Sequence, residues 1–335
     1  GRIRSHNYNL DYIFQPALTW GTIASGRPSF RYCPEGFLYS NSGYGMFFSQ
    51  TELMPETLAL LNCPVSSSVL SMLSPGIGIE SGYVRKIPVI QLKNNVDNIV
   101  RRSISISKQD WDAHETSWDF QTNPMIAAKE ICGGNGTDLD ALSEEDRKDI
   151  LADMDIPTDP NKLEDCYKAY CNHWTRQFHK LHRNEEELNR RFIEIYGLQD
   201  ELTPSVPLDE VTILQQGEIK ITDQYPLETE DGALLTTEKD EVLTVNGDEH
   251  MEFQADVVMK QLISYMVGVW MGRYRLDRPG LNIAHPEPTP EELSPYSYGP
   301  DNETLMIDDD AIIPILPKDL SLIHISEPTR LDVIS

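Results

Sequence analysis

The strongest periodic pattern in the chain runs from Leu163 to Tyr196. Apolar or aromatic residues recur there at Leu163, Tyr167, Tyr170, Trp174, Phe178, Leu181, Leu188, Phe192 and Ile195, mostly in steps of three and four. That spacing predicts one helix roughly 50 Å long at about 1.5 Å per residue, with Gly197 placed to stop it. A second stripe, Leu262, Met266, Val269 and Trp270, predicts a helix over 257–274. A third, Leu58, Leu61, Val65, Val69 and Met72, predicts a helix over 52–73 that Pro64 should kink or split. A helix-like stretch over 94–107 carries Arg101 and Arg102. Within the Gly/Asp/Glu-rich residues 132–160, Ser143 followed by Glu144, Glu145 and Asp146 marks the start of a short helix over 143–151.

The opening segment follows a different rhythm. Ala17-Leu18-Thr19-Trp20, Phe30-Arg31-Tyr32, Phe37-Leu38-Tyr39 and Met46-Phe47-Phe48 are β-favouring runs, punctuated by Gly26-Arg27-Pro28 and Asn41-Ser42-Gly43. Residues 82–90 read as a short extended piece. Residues 222–250 are acidic and read as a hairpin-like or disordered insertion, and the proline-rich 279–300 cannot be regular. No internal repeat is present. The expected class is α+β, a mixed small-sheet region over 1–110 followed by a mostly helical region over 111–317 with the long helix and the acidic insertion. From about Leu320 onward, Leu320-Ser321-Leu322-Ile323-His324-Ile325-Ser326-Glu327-Pro328-Thr329-Arg330 resembles the translation of a sequencing adaptor, so 320–335 is set aside as an artefact.

Composition changes this picture in one respect. Hydrophobic content of 39% and charged content of 24% are those of a soluble globular protein, and no run of eighteen apolar residues could span a bilayer. Gly1-Arg2-Ile3-Arg4 lacks both an apolar leader and an initiating Met, so the chain reads as cut from something longer. Five scattered cysteines argue against a disulfide scaffold and for a reducing cytoplasm. The net charge of −26 looks hostile to nucleic acid. Residues 1–110, however, hold ten Lys/Arg against seven Asp/Glu, a balance of +3 that leaves −29 for the rest. Any contact with a polyanion therefore belongs to the first third.

Few residues suggest chemistry. Amino-methylation needs a Gly-rich turn after a strand for S-adenosylmethionine and an Asn/Asp-Pro-Pro-aromatic loop for the flipped base. Thr122-Asn123-Pro124-Met125 shares only Asn-Pro with that loop, and Cys132-Gly133-Gly134-Asn135-Gly136 does not follow a strand-like run. Both read as turn and loop. Cys166, Cys171, His173, His179 and His182 crowd one helix, but at 100° per residue Cys166 and Cys171 point about 140° apart, so no metal site is expected there. Asp308-Asp309-Asp310 reads as a turn between strands, because three adjacent acids cannot converge on an extended backbone. No nucleophile elbow or Walker loop occurs, and no catalytic residue is assigned.

What remains is contact with duplex DNA. Trp20, Ser25, Arg27, Arg31 and Tyr32 offer cations, a hydroxyl and aromatics on strand-and-turn backbone, and Arg85, Lys86, Arg101 and Arg102 extend the basic set. Arginine forks read guanine edges or clamp phosphates, and hydroxyls and turn amides bind phosphate. On residue types alone, a basic-aromatic loop is more often a solvated surface. The other open reading is an acidic partner-binding module or DNA mimic built on the −29 portion.

A family resemblance favours the first reading. Ala17-Leu18-Thr19-Trp20, Ser29-Phe30-Arg31-Tyr32, Pro34-Glu35-Gly36-Phe37, Leu60-Leu61-Asn62 and Val84-Arg85-Lys86-Ile87-Pro88 resemble, in that order, the target-recognition region of type IIG and BREX adenine methyltransferases. Downstream, Lys108-Gln109-Asp110-Trp111-Asp112, Ser117-Trp118-Asp119-Phe120, 189–198, 271–277 and 308–314 resemble further segments of that group. The resemblance implies a cytoplasmic phage-defence enzyme that methylates adenine N6 in double-stranded DNA with S-adenosylmethionine, alongside other defence proteins and away from membranes. It also implies that the catalytic domain lies upstream of Gly1, so that this piece holds no cofactor, does not methylate, and uses its long helix as a packing strut.

Overall fold

The computed structural model describes residues 9–24, 26–39, 43–92, 96–131, 159, 161–227, 229, 234–237, 242–283, 285, 287, 289–293, 297–298 and 303–304. Ser25, Cys132 to Gly136, the expected helix over 143–151, Asp308 to Asp310 and residues 320–335 lie outside them. The architecture is α+β, with small antiparallel sheets and one long helix. The chain divides into two compact units. The first takes residues 1–108 and 177–212, the second 109–176 and 213–335.

In the first unit, β1 (Ala17–Gly21) lies between β2 (Phe30–Cys33) and β3 (Gly43–Met46), both antiparallel to it. The register pairs Leu18 with Tyr32 and Met46, Thr19 with Arg31 and Gly45, and Trp20 with Phe30 and Tyr44. Paired residues share a face and neighbours along a strand alternate, so Leu18, Trp20 and Phe30 point into the core while Thr19 and Arg31 point away from it. Phe37-Leu38-Tyr39, expected as a strand, is irregular, and Phe37 and Leu38 are exposed. The helix predicted over 52–73 is two helices, α1 (Met54–Asn62) and α2 (Pro64–Leu73), divided at Cys63, whose extended backbone (ψ 161°) precedes the proline. Asn62 closes the outer edge of β2: its side chain accepts from the Phe30 N–H at 2.9 Å and donates to the Phe30 carbonyl at 3.0 Å.

Residues 82–90 depart from their expected extended form. Ser81–Val84 is a helical turn, α3, continued by turns to Ile87. Val84 and Ile87, three residues apart, are both buried, and that spacing gives a helical turn one apolar side where a strand would have sent them to opposite faces. The next helix, α4, runs over Asp97–Asp112, later than the pattern suggested.

The long helix α6 spans Leu163–Tyr196, after α5 (Pro124–Ile131). It ends as expected at Gly197, whose φ of +67° favours glycine. The Gly197 and Leu198 N–H groups bond back to the Glu194 and Ile193 carbonyls at 3.1 and 3.0 Å. Residues 177–196 of α6 bring Leu188, Phe192 and Ile193 into the first unit's core with Leu18, Trp20, Phe30, Leu60, Val65 and Val100.

In the second unit, the acidic segment forms a hairpin of β4 (Ile219–Pro226) and β5 (Thr244–Phe253), with a register shift between Thr222 and Gln224. Helix α7 (Ala255–Trp270) follows. Its buried positions are Val258, Tyr265, Gly268 and Val269, whereas Leu262 and Met266, expected to lead the stripe, are half-buried. The rings of Phe120, Tyr265 and Tyr274 form a cluster with centroids 5.1–5.9 Å apart, and it is these aromatics that set the buried face. Gly268 is needed for this arrangement, because a Cβ there would lie 2.6 Å from the Tyr274 ring. Among the described residues no helix is long and apolar enough to cross a membrane.

Candidate nucleic-acid interface

The segment joining β1 to β2 is held by backbone bonds to residues 77–79: Ala24 N–H to the Ile77 carbonyl and Ile79 N–H to the Thr22 carbonyl, both 2.9 Å. Trp20 sits beneath it. Its ring is 5.4 Å from both Phe30 and Tyr44, and its Nε1 donates to the Ile79 carbonyl at 3.0 Å. Trp20 was expected among the contact residues, yet it is buried. Its place is to support the loop from the core. Arg27 and Arg31 are both exposed, Arg27 in the loop and Arg31 on β2. Tyr32 is partly exposed at 39%, but the register puts it on the opposite face of β2 from Arg31. Two neighbours on a strand cannot reach one ligand from the same side, which the linear sequence concealed.

Both arginines face acids that the sequence reading did not single out. Arg27 Nη1 lies 3.0 Å from Glu210 Oε2. Glu185, on α6, lies within electrostatic reach of both Arg31 and Glu210. Partial burial pushes the Glu185 carboxyl up; Arg31 pulls it down, Glu210 pushes it up again, and the result is about 7. Arg27 and Arg31 thus flank a pair of neighbouring acids, Glu210 beside Arg27 and Glu185 within reach of Arg31. The acids lie more than 150 positions away in the chain, and no local motif could have announced them. Arg85 and Lys86 are exposed at the end of α3, with Lys86 Nζ 6.0 Å from the Tyr83 ring, and Arg101 and Arg102 are exposed on α4.

The acidic residues are held in place. His182 Nε2 lies 2.7 Å from the Val206 carbonyl, Glu186 accepts from the Val206 N–H at 3.1 Å, and Asn189 donates to the Pro204 carbonyl at 3.1 Å. Val211 is fully buried just beyond Glu210. These contacts tie residues 204–206 to α6, and the 3-10 turn Leu208–Glu210 follows directly.

The second unit contains a buried ionic network. Glu218, with no exposed surface, accepts from Gln261 Nε2 at 2.6 Å and from the Gln216 N–H at 2.8 Å, and His114 Nε2 lies 2.7 Å from its Oε1. Burial opposes the charged form of His114, but the hydrogen bond and charge of Glu218, aided by Asp110, outweigh it and raise the imidazole pKa. Burial likewise works against the Glu218 charge, and the bonds from His114 and Gln261 more than offset it, lowering the pKa. Asp110 accepts from the Leu214 N–H at 3.0 Å, where Leu214 adopts a φ of +59°, uncommon for a branched residue. Burial raises the Asp110 pKa to about 6, although the Leu214 bond and His114 draw it down.

Because Asp110 binds its proton more tightly folded than unfolded, its contribution to stability is present below its ordinary value of 3.8 and is lost as the pH rises through about 6. Over that window the loss is on the order of 3 kcal/mol. Asp110→Asn keeps a carbonyl acceptor for Leu214 and should flatten this part of the profile. Denaturant unfolding between pH 4 and 7 reads the difference, and parallel curves for the two chains would contradict it.

Asn123, the sole Asn in an Asn-Pro pair, is buried, and its Oδ1 accepts from the Met125 N–H at 2.9 Å as the cap of α5, with Pro124 opening the helix. That side chain is committed to a helix end and cannot hold an adenine amine. Among the described residues no group of three or more His, Cys, Asp or Glu side chains is placed to hold a metal ion. Cys166 is buried on α6, and Cys171 is half-buried.

Comparison with known sequences points to one class of protein: this chain is homologous to adenine-specific methyltransferases. It is 31% identical over 311 residues to the adenine-specific methyltransferase PglX of Lacticaseibacillus casei (strain Zhang), and 28% identical over 315 residues to the adenine-specific methyltransferase BrxX of Escherichia coli O9:H4 (strain HS). Each match covers 92% of this chain, and the chain spans about a fifth (21%) of each relative. No family model matches.

Proposed function

We propose that this chain is the target-recognition and C-terminal part of a BREX-type, site-specific N6-adenine DNA methyltransferase acting in phage defence in the cytoplasm. The observation that carries this reading is the match along nearly its whole length to two adenine-specific methyltransferases. Residues 1–110 supply the DNA contacts, through Arg27, Arg31, Arg85, Lys86, Arg101 and Arg102, with Ser25 a further candidate, Tyr32 on the other face of β2 and Trp20 supporting the loop. Residues 111–317 are its C-terminal region. We place methyl transfer and S-adenosylmethionine in the part of the relatives that this chain does not span.

A gel-shift titration with duplex DNA tests the proposal. Each cation that neutralises a phosphate releases counterions, so affinity should fall steeply as salt is added. Arg27→Ala and Arg31→Ala should each weaken binding and reduce the salt slope by about one. Unchanged affinity in both variants would remove the DNA-contact assignment.

A further inference from the structure

The Arg27–Glu210 pair poses a problem for a surface meant to grip a polyanion. Arg27 is paired with a carboxylate, and Arg31 has another, Glu185, within electrostatic reach. Glu210 is not on a loose tail: bonds from His182, Glu186 and Asn189 hold residues 204–206 to α6, Glu210 lies in the 3-10 turn Leu208–Glu210, and Val211 after it is buried. Glu185 projects from α6 into the same charge cluster.

We infer that Glu210, backed by Glu185, is a specificity-determining competitor that occupies Arg27 until a matching duplex displaces it. The inference rests on the DNA-contact reading and adds to it a role for the acids. A phosphate reaching Arg27 must break a 3.0 Å charge-assisted pair and come close to the Glu210 carboxylate, with Glu185, partly ionised at neutral pH, behind it. Non-specific DNA offers only its backbone in return. A correct base step offers more: guanine O6 and N7 accept a bidentate arginine fork, and a cytosine amino group can donate to the freed carboxylate. The acids therefore penalise non-specific binding more than specific binding.

The test uses the full chain and a random-sequence duplex, with affinity followed by fluorescence anisotropy across a salt series. Glu210→Gln keeps the side-chain shape and removes the charge, and Glu210 is exposed at 42%, so folding should be unaffected. The variant should bind about two- to fivefold more tightly at low salt, the range that an exposed ion pair represents. Its salt slope should steepen by about one phosphate contact. Glu185→Gln should act in the same direction. In an Arg27→Ala background, Glu210→Gln should give no gain, because the competitor has nothing left to occupy.

Three results would overturn the inference. If the parent chain binds and Glu210→Gln binds equally or more weakly, the acids are not competitors, and the DNA-contact reading stands. If Glu210→Gln tightens binding as much in the Arg27→Ala background, the effect is general charge removal and not release of Arg27. If neither chain binds duplex at any salt concentration, both the DNA-contact reading and this inference fail.

Discussion

Replacing Glu218 by alanine is expected to destabilise the second unit by about 3–5 kcal/mol, the cost of removing one partner from a buried ionic pair. The carboxylate has no exposed surface and satisfies three donors, from His114, Gln261 and the Gln216 backbone, at 2.6–2.8 Å. Truncation leaves all three without their acceptor in a place from which water is excluded, and a stranded donor costs more than its hydrogen bond had contributed. His114 also loses the charge that raises its pKa, so it should titrate lower in the variant. Denaturant unfolding gives the stability, and the His114 ring resonances followed by NMR against pH give the titration. A loss under 1 kcal/mol with an unmoved His114 titration would show that the network is not built as described.

Phe192→Ala is expected to cost about 3–5 kcal/mol in the first unit. Phe192 is fully buried in the cluster that joins α6 to the sheet and to α1, with Leu188 and Ile193 beside it on the helix and Trp20 in the same core. Removing the ring discards its transfer free energy and leaves a void that the paired strands cannot readily collapse to fill. Tryptophan fluorescence during unfolding reads the loss. Trp118→Ala is the control: Trp118 is fully exposed, and its replacement should change stability by no more than about 0.5 kcal/mol. A Phe192 variant as stable as the Trp118 variant would mean that the 177–196 part of α6 is not packed as described.

These two sites differ in how visible they were beforehand. Phe192 belongs to a repeat of three and four that marks a helix and its buried side together, and the helix ends at the glycine where the pattern stops. Pro64 and the β-favouring runs around Trp20 and Arg31 were equally readable, because a ring without an N–H and the side-chain alternation of a strand act locally. Glu218, by contrast, lies in a stretch that announces nothing. Its partners come from residues 114, 216 and 261, and an acid in an acidic region reads as solvated surface until the fold buries it.

The candidate interface divides in the same way. That exposed cations concentrate in the first 110 residues was legible from their charge balance, and the types at Arg27 and Arg31 made them the candidates. Which of them share a side was not, since strand register turns Tyr32 away from Arg31 and draws Trp20 inward.

The amino-acid sequence by itself determined the long helix and its stop, the strands around Trp20 and Arg31, the break at Pro64 and the kinship with adenine methyltransferases, all of which depend on near neighbours or on order along the chain. Only the tertiary structure decided that Glu210 and Glu185 stand against the arginines and that His114 and Glu218 are buried together. Charges act through space and are set by burial, so their effect is fixed only when distant segments meet.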